Sequence, residues 1–527
     1  MDEMAARTWL WLLLSPLILL LLHYALALLT ARRARKNPLP PSPPALPFIG
    51  HLHLIGALPH VSLCCLATKH APDLMFLRLG TSLPVLVASS PCAAEAILRT
   101  HDDVFASRPR TVLADIIFYG SRDIGFAPYG EDWRQARKLV NTHLLSVNKV
   151  QSLWLAREEE VKIVMEKISK AAFAREAVDI GQILCSFTND LACRVVSRKL
   201  VGDDRQKKLL QELVNKTIKL LSIFNVEEYF SILARIGVIG KVMCARAERL
   251  KKKWDMLLKK LIADHESKCD SYLVCGRNKD DFVDILLSVR KEYGLTEEHV
   301  KAILEGHLKF DLHQIINQQD VFIAGTQSSA RVIEFTFAEL MRKPHMLKKV
   351  QDEVRACIPN GQAIVSEVQV NNMTYLRAVV KEVLRLHPVA PLLATHVSMA
   401  DCNINGYMIP SGMRVLVNAW AIGRDERFWY DPEKFMPERF VESVNGSATA
   451  SVNFWVNNYQ YLPFGSGRRM CLGMNFAMAV IEITLANLLW KFDWALPAHA
   501  MEVDMSEEFG LSVRLKEKLL LVPKQHV

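Results

Sequence analysis

The order of apolar and polar residues divides the chain into an apolar N-terminal run, Trp9–Leu29, and a long body with helical periodicity. Apolar residues recur at i, i+3, i+4 and i+7 in two sets: Val161, Val164, Met165 and Ile168, and Phe476, Ala479, Val480 and Ile483. The apolar stretches 74–79 and 85–87, separated by Gly80-Thr81-Ser82, predict two short strands. The pattern therefore predicts a mainly α protein with small β-sheets.

The apolar run at the N-terminus has the length of a membrane span. It contains 21 uncharged residues, and a helix needs about 20 to cross a bilayer. The basic cluster from Arg32 to Lys36 favours the cytosolic side for everything that follows. A secretory signal cleaved after Ala25–Ala27 is the alternative, but the run is long for one and the basic cluster lies on the wrong side. We expect residues 1–36 to form an anchor.

A proline-rich segment, residues 37–50, follows the anchor. Proline favours extended backbone, so this segment predicts a stiff hinge that holds the folded body off the membrane. Residues 51–527 contain no further spanning run, no internal repeat and no glycine-rich phosphate loop. We expect them to form one catalytic domain.

Composition excludes several classes of protein. The chain has 527 residues with 23% charged and 50% hydrophobic, which excludes disorder and fibrous repeats. Its formal net charge of +9 suits an acidic partner or a membrane surface, and no basic cluster interleaved with aromatics indicates nucleic-acid binding. The 11 cysteines include no CxxC pair, so a disulfide scaffold or a structural zinc site is not expected.

The chemistry is concentrated near the C-terminus. Phe464, Gly467, Arg469, Cys471 and Gly473 form the pattern F-x-x-G-x-R-x-C-x-G directly before an apolar helix. A lone cysteine is most often an inert buried side chain. Here the glycines allow a tight loop, and the following helix N-terminus and nearby N–H groups favour a thiolate. This segment resembles the haem-binding loop of the cytochrome P-450 monooxygenases, which implies haem b with Cys471 as axial iron ligand and Arg469 beside a propionate.

Three more segments resemble that family and occur in its order. Glu382 and Arg385 form its E-x-x-R pair, and Arg439, in Pro-Glu-Arg-Phe, is implied to join them in a buried triad. Trp133 and Arg137 match its W-x-x-x-R, whose members reach the haem propionates. Taken alone, an i, i+3 ion pair is usually a surface pair, and either of the other segments could be ordinary helix surface.

The resemblance covers the whole chain, and it is strongest to plant A-type microsomal members, in particular the grass enzymes that hydroxylate indole and its oxidised derivatives. It implies the cytochrome P-450 fold, with haem between a long central helix and the helix after the cysteine loop. It also implies an endoplasmic reticulum membrane location, dioxygen as a substrate, and electrons that reach the haem from NADPH through a separate reductase whose docking face is acidic.

One segment departs from the family pattern. Ala324–Ser329 aligns with the oxygen-activation motif, in which Gly325 and Thr326 hold the small and variable positions. The family has an acid and then a threonine where this chain has Gln327 and Ser328. Serine keeps a hydroxyl, but glutamine cannot donate a proton as an acid does. Asp320, two turns upstream, is a candidate substitute through water, and the preceding stretch 305–319 is longer than the family pattern.

Two functions stay open. The first is a membrane-anchored haem-thiolate monooxygenase that inserts one oxygen atom into a small apolar molecule, indole-like or terpenoid. The second is a haem-thiolate protein that rearranges an oxygenated substrate without a reductase, or an inactive haem-binding homologue; the missing acid is its support. By family position the substrate pocket is expected at Thr111–Ala127, Phe224–Ile239, Val321–Ser328, Pro391–His396 and Phe509–Leu511, with Phe118, Phe126, Phe224 and Phe509 as candidate aromatic walls.

Overall fold

Helices make up most of the described chain. A computed structural model describes residues 38–81, 83–197, 204–222, 238–269, 308–359, 362–441, 459–498 and 500–526. The longer helices are Pro59–His70, Glu131–Val140, Trp154–Ala174, Ile180–Val196, Asp204–Ser222, Val238–Cys269, Leu308–Arg342, Pro344–Ala356, Thr374–Leu386 and Met474–Lys491. Shorter helical segments are Leu52–Leu54, Pro91–Glu95, Ala96–Thr100, Asp102–Phe105, Val112–Ile117, Asn141–Leu145, Val147–Ser152, Glu367–Val370, Ala419–Ile422, Pro437–Phe440 and Gly467–Arg469.

The strands of the described residues form small sheets. One sheet has four strands in the order Leu74–Leu79, Leu83–Ala88, Arg414–Val417 and His396–Val397. A second has three, in the order Val178–Asp179, Leu520–Gln525 and Phe492–Ala495. Two hairpins pair Cys402–Ile404 with Tyr407–Ile409 and Glu507–Glu508 with Arg514–Leu515. The prediction of a mainly α fold with small sheets is confirmed, as is the strand pair near residue 80.

The predicted helix faces are the buried ones. All four apolar residues of the first periodic set, Val161 to Ile168, are buried in the helix Trp154–Ala174. In the second set Val480 and Ile483 are buried, and Phe476 and Ala479 are partly buried. A period of 3.6 residues thus identified the core-facing stripe in both helices.

Leu308–Arg342, which we call the central helix, lies at the middle of the largest apolar cluster. Its closest packing is against Ile180–Val196, where a side chain at Gly181 would meet the Glu334 carboxylate at 2.2 Å. The Thr188 hydroxyl also donates to the Thr326 carbonyl. The part of the 305–319 stretch that is described, from residue 308, continues this helix.

The proline-rich segment is attached to the body. The Pro38 carbonyl accepts a hydrogen bond from Met408 N–H at 3.0 Å, and the Pro41 carbonyl accepts one from Phe76 N–H at 2.9 Å. From Pro38 onward the predicted hinge is therefore hydrogen-bonded to the body, because extended backbone has unpaired carbonyls that a neighbouring strand can satisfy. In the part of the chain that the structure describes, no helix is long and apolar enough to cross a membrane; the predicted anchor at 1–36 lies outside it.

Candidate functional site

The loop Phe464–Gly473, which we call the thiolate loop, is held in a tight fold by its own backbone. Cys471 N–H donates to the Phe464 carbonyl at 3.0 Å, and Met470 N–H donates to the Gly467 carbonyl at 3.1 Å. Gly467 has φ +70°, and a Cβ there would lie 2.3 Å from the Leu98 carbonyl oxygen. Both the conformation and the space require glycine. The helix Met474–Lys491 starts directly after Gly473.

Cys471 lies in a recess of the protein surface. Its side chain keeps exposed area, yet burial raises the pKa of its thiol. A group with both properties faces a concavity rather than open solvent. The backbone N–H groups of Gly473 and Met474 and the Arg137 guanidinium lower that pKa in part, because each favours the charged thiolate.

Arg137 and Arg469 tie the thiolate loop to the helix Glu131–Val140. Arg137 Nη2 donates to the Met470 carbonyl at 2.7 Å. Arg469 donates to the carbonyls of Ala106 and Ala127, each at 2.6 Å, and its guanidinium lies 4.1 Å from the centre of the Trp133 ring. The structure therefore brings together Trp133, Arg137, Arg469 and the loop that carries Cys471, as the sequence predicted.

Two further residues join this cluster, Arg108 and His396. Arg108 Nη1 donates to the carbonyls of Ala394 at 2.6 Å and Thr395 at 3.0 Å. His396 Nδ1 is 2.7 Å from the Phe105 carbonyl, and burial with Arg108 nearby lowers its pKa to about 3, so the ring is neutral. Neither residue was predicted individually as part of the site. A signal existed for His396, which ends the expected pocket stretch Pro391–His396.

Glu382, Arg385 and Arg439 form a buried charge network. Arg385 makes a bidentate contact with Glu382, with N–O distances of 2.8 and 2.7 Å, and Arg439 Nε donates to Glu382 Oε1 at 3.2 Å. Glu382 is fully buried and Arg385 is 2% exposed. Arg385 Nη1 also donates to the carbonyls of Gly423 and Pro432. The reading of Glu382 and Arg385 as a surface pair is excluded, because neither side chain reaches the surface.

The oxygen-activation segment of the central helix has one buried and one open side. Thr326 and Ser329 are buried. The opposite side, which we call the open arc, consists of Ala324, Gly325, Gln327 and Ser328, all exposed or partly exposed. A Cβ on Gly325 would meet nothing within 4 Å, so space adjoins the helix there. Ser328 Oγ donates to the Ala324 carbonyl at 2.8 Å.

Comparison with known proteins identifies the family. The family model for cytochrome P450 matches residues 40–522. The chain belongs to the cytochrome P450 family. Among curated relatives, indole-2-monooxygenase of Zea mays is 49% identical over 92% of this chain and 87% of its own length. Indolin-2-one monooxygenase of Zea mays is 44% identical over 94% of this chain and 90% of its own.

Solved structures agree on the fold. A zebra fish cytochrome P450 with progesterone superposes with a TM-score of 0.71 at 25% identity, over 89% of this chain and all of that one. The mainly helical P450 fold and the assignment as a P450 monooxygenase are thus established. As a member of this family, the protein binds haem with a cysteine thiolate as axial ligand.

The charges around the thiolate loop of this P450 fit that cofactor. Within the described residues, Arg108, Arg137 and Arg469 pair with no carboxylate within 4.0 Å, although the Asp123 charge acts on Arg108 and Arg469. Burial and mutual repulsion lower the pKa of Arg469 to about 9, and burial lowers that of Arg108 to about 10. Three guanidinium groups and one carboxylate leave a net charge of +2, which matches the two propionates of haem.

The expected pocket of this P450 is described in part. Phe118 has no exposed surface and stacks on Phe126 at 5.2 Å, so Phe118 is core, and its expected role as a pocket wall is wrong. Phe126 is partly exposed, as is Phe509, whose ring lies 5.8 Å from that of His60. Phe224 lies outside the described residues, as does the side chain of Asp320.

Proposed function

We propose that this P450 is a membrane-anchored monooxygenase of the endoplasmic reticulum that hydroxylates a small, apolar, indole-like molecule with electrons from a separate NADPH-dependent reductase. In the overall reaction, dioxygen, two electrons and two protons convert a C–H group into C–OH and release one water. The identity to indole-2-monooxygenase over nearly the whole length carries the substrate class.

Cys471 is the residue we assign as the axial ligand, because it is the cysteine of the thiolate loop. Bound haem supplies the activation of dioxygen. Arg137 and Arg469, with Arg108 and Trp133 beside them, supply positive charge and N–H donors for its propionates. The Glu382–Arg385–Arg439 network holds the backbone at Gly423 and at Met436 through hydrogen bonds.

The reductase contact is supported by a basic recess beside the thiolate loop. A cavity of about 440 Å³ is lined by Tyr129, Trp133, Arg134, Arg137, Lys138, Asn141, Arg468 and Leu472. Arg134, Lys138 and Arg468 are exposed or half-exposed there. Such a surface attracts an acidic partner and raises its association rate, and the effect weakens with salt. The net charge of +9 acts in the same direction.

Reconstitution with a plant reductase tests the proposal. The full chain in membranes, with NADPH, reductase and indole or indolin-2-one, should consume NADPH and form a hydroxylated product. Cys471→Ala should form none. A charge reversal at the recess, Lys138→Glu, should lower the reductase-dependent rate and its salt dependence while leaving the substrate-induced absorbance change intact.

The second candidate is a haem-thiolate protein that rearranges an oxygenated substrate or has lost activity. Gln327 favours it, because no acid stands at that position of the open arc. If the wild type consumed no NADPH with any competent reductase and substrate, this candidate would replace the monooxygenase.

A further inference from the structure

Gln327 is contacted by a residue on another helix. Its Nε2 donates to Asn215 Oδ1 at 2.7 Å. Asn215 lies on Asp204–Ser222, 112 residues before Gln327 in sequence. Both side chains keep exposed surface, so the pair bridges two helices at the edge of a space and not within packed core.

The helix that carries Asn215 is fixed near that residue. Thr217 is fully buried; its hydroxyl accepts a hydrogen bond from Trp254 Nε1 at 2.9 Å and donates to the Leu213 carbonyl. Trp254 is also fully buried. Thr217 lies two residues from Asn215 along the helix, and its hydrogen bond to the buried Trp254 of the helix Val238–Cys269 holds the local backbone, so Asn215 presents its amide from a rigid position.

Counting donors and acceptors shows what remains available on the open arc. The Nε2 group of Gln327 is engaged by Asn215, which turns the opposite atom, Oε1, away from that contact. The hydroxyl hydrogen of Ser328 is engaged by the Ala324 carbonyl, which leaves the Oγ lone pairs. Among the described residues, no group donates to either oxygen. Residues 327 and 328 lie with 324 on one side of the helix, so both acceptors border the space beside Gly325.

We propose that Asn215 is a positioning residue for oxygen activation. It fixes the Gln327 amide so that Oε1 accepts one hydrogen of a water at the open arc beside Ser328. That water donates its other hydrogen to the reacting oxygen and regains a proton from bulk water, in place of the missing acid. This role rests on the monooxygenase function proposed above. It gives glutamine a task that its chemistry allows, because an amide oxygen cannot deliver a proton but can orient a water that does.

Variants at residue 215 separate this role from simple packing. Asn215→Ala removes the acceptor for Gln327 Nε2, whereas Asn215→Asp keeps an acceptor and cannot donate. Gln327→Ala and the double variant Asn215→Ala with Gln327→Ala complete a cycle. Lys216→Ala is the matched control, because Lys216 is exposed on the same helix and pairs only with Glu212 among the described residues.

The first measurement needs no turnover. The C–O stretching frequency of the reduced carbon monoxide complex responds to hydrogen bonding around the bound ligand. Asn215→Ala and Gln327→Ala should shift this frequency by the same amount, and the double variant should show no further shift. Asn215→Asp and Lys216→Ala should keep the wild-type value.

The second measurement is product formed per NADPH consumed. Asn215→Ala should lower it about threefold, with a matching rise in hydrogen peroxide, and Asn215→Asp should restore it.

Either of two results would overturn the role of Asn215. In the first, Asn215→Ala keeps the wild-type stretching frequency and coupling. In the second, the effects of the two single variants add up in the double variant. Failure of the proposed function would be recognised by a different result. The wild type would form no product with any reductase, while the C–O stretching frequencies would still report on the Asn215–Gln327 contact.

Discussion

The Glu382–Arg385–Arg439 network and the open arc differ in how many of their polar groups have hydrogen-bond partners. In the network, a fully buried carboxylate is contacted by two guanidinium groups and by Met436 N–H. In the open arc, Gln327 and Ser328 are neutral, partly exposed, and keep acceptor capacity. The buried network gains rigidity because every charge is satisfied. The open arc can take part in chemistry because its acceptor atoms are still free to bind a water or a substrate.

The largest expected effect belongs to Cys471, the residue assigned as iron ligand, because no neighbouring residue can replace it. Cys471→Ala should abolish the thiolate-type absorbance of the reduced carbon monoxide complex. Cys402→Ala is the control, since Cys402 belongs to the hairpin of Cys402–Ile404 with Tyr407–Ile409 and not to the thiolate loop. A wild-type spectrum in Cys471→Ala would show that another residue binds the iron.

The charge network should be the next most sensitive part. Removing one partner of a buried pair leaves the other charge without compensation, at a cost of about 3–5 kcal/mol. Arg385→Ala should therefore yield misfolded, haem-poor protein, measured as haem per chain. Lys348→Ala, which breaks an exposed i, i+4 pair with Asp352, should change the free energy of unfolding by less than about 1 kcal/mol. If the two variants lowered haem content and stability equally, the buried network would be no more important than an exposed ion pair.

A second buried network gives the comparison a pH dependence. His387 lies between Glu339, at 2.9 Å, and Glu507, at 3.2 Å. Burial alone raises the pKa of both carboxyls. His387 outweighs it, together with Lys343 at Glu339 and His60 at Glu507, and each pKa is lowered to about 2. Burial likewise lowers the pKa of His387, but the two carboxylates outweigh it and raise that pKa above its ordinary value of 6.5.

The sign of the effect follows from these directions. The carboxylates contribute stability above their ordinary pKa of 4.5 that is lost as pH falls toward 2, and the imidazolium contributes stability below pH 6.5 that is lost as pH rises through its raised pKa. His387→Gln should lower the free energy of unfolding by about 2 kcal/mol at pH 5–6 and by less at pH 9. A difference that grows between pH 6 and pH 9 would contradict the charged state of His387. Denaturant unfolding across that range measures it.

The smallest expected effect belongs to the open arc itself. Gln327→Asp should raise product per NADPH and lower peroxide, since a carboxylic acid can deliver the proton, and Ser328→Ala should shift the ratio the other way. A tenfold change in partition needs only about 1.4 kcal/mol between competing barriers. Product, NADPH and peroxide measured together decide it. If the wild type is already well coupled and Gln327→Asp leaves the coupling unchanged, an acid at residue 327 is not needed for proton delivery.

How much of this was predictable depends on whether the signal was local in sequence. Helix periodicity located the stripe Val161–Ile168, and resemblance to the family's motifs implied that Arg137, Arg469 and Cys471 all serve the haem. Contacts between distant residues that belong to no assigned motif left no such signal. Asn215 meets Gln327 from 112 residues away, and Arg108 meets Ala394 from 286. Phe118 was assigned to a pocket by its position, but packing decides whether a ring is core or wall. These are facts of tertiary structure that no short pattern contains.

The attachment of Pro38 to Met408 has a mechanical consequence. The apolar run that the sequence predicts to span the membrane ends at Leu29, so residues 30–37 would join it to a hydrogen-bonded residue of the body. Eight extended residues span at most roughly 26–29 Å. Such a tether would limit how far the face of the body around Pro38 and Met408 can move from the bilayer. Inserting six glycine–serine residues after Lys36 would lengthen that tether and leave every contact of the folded body in place.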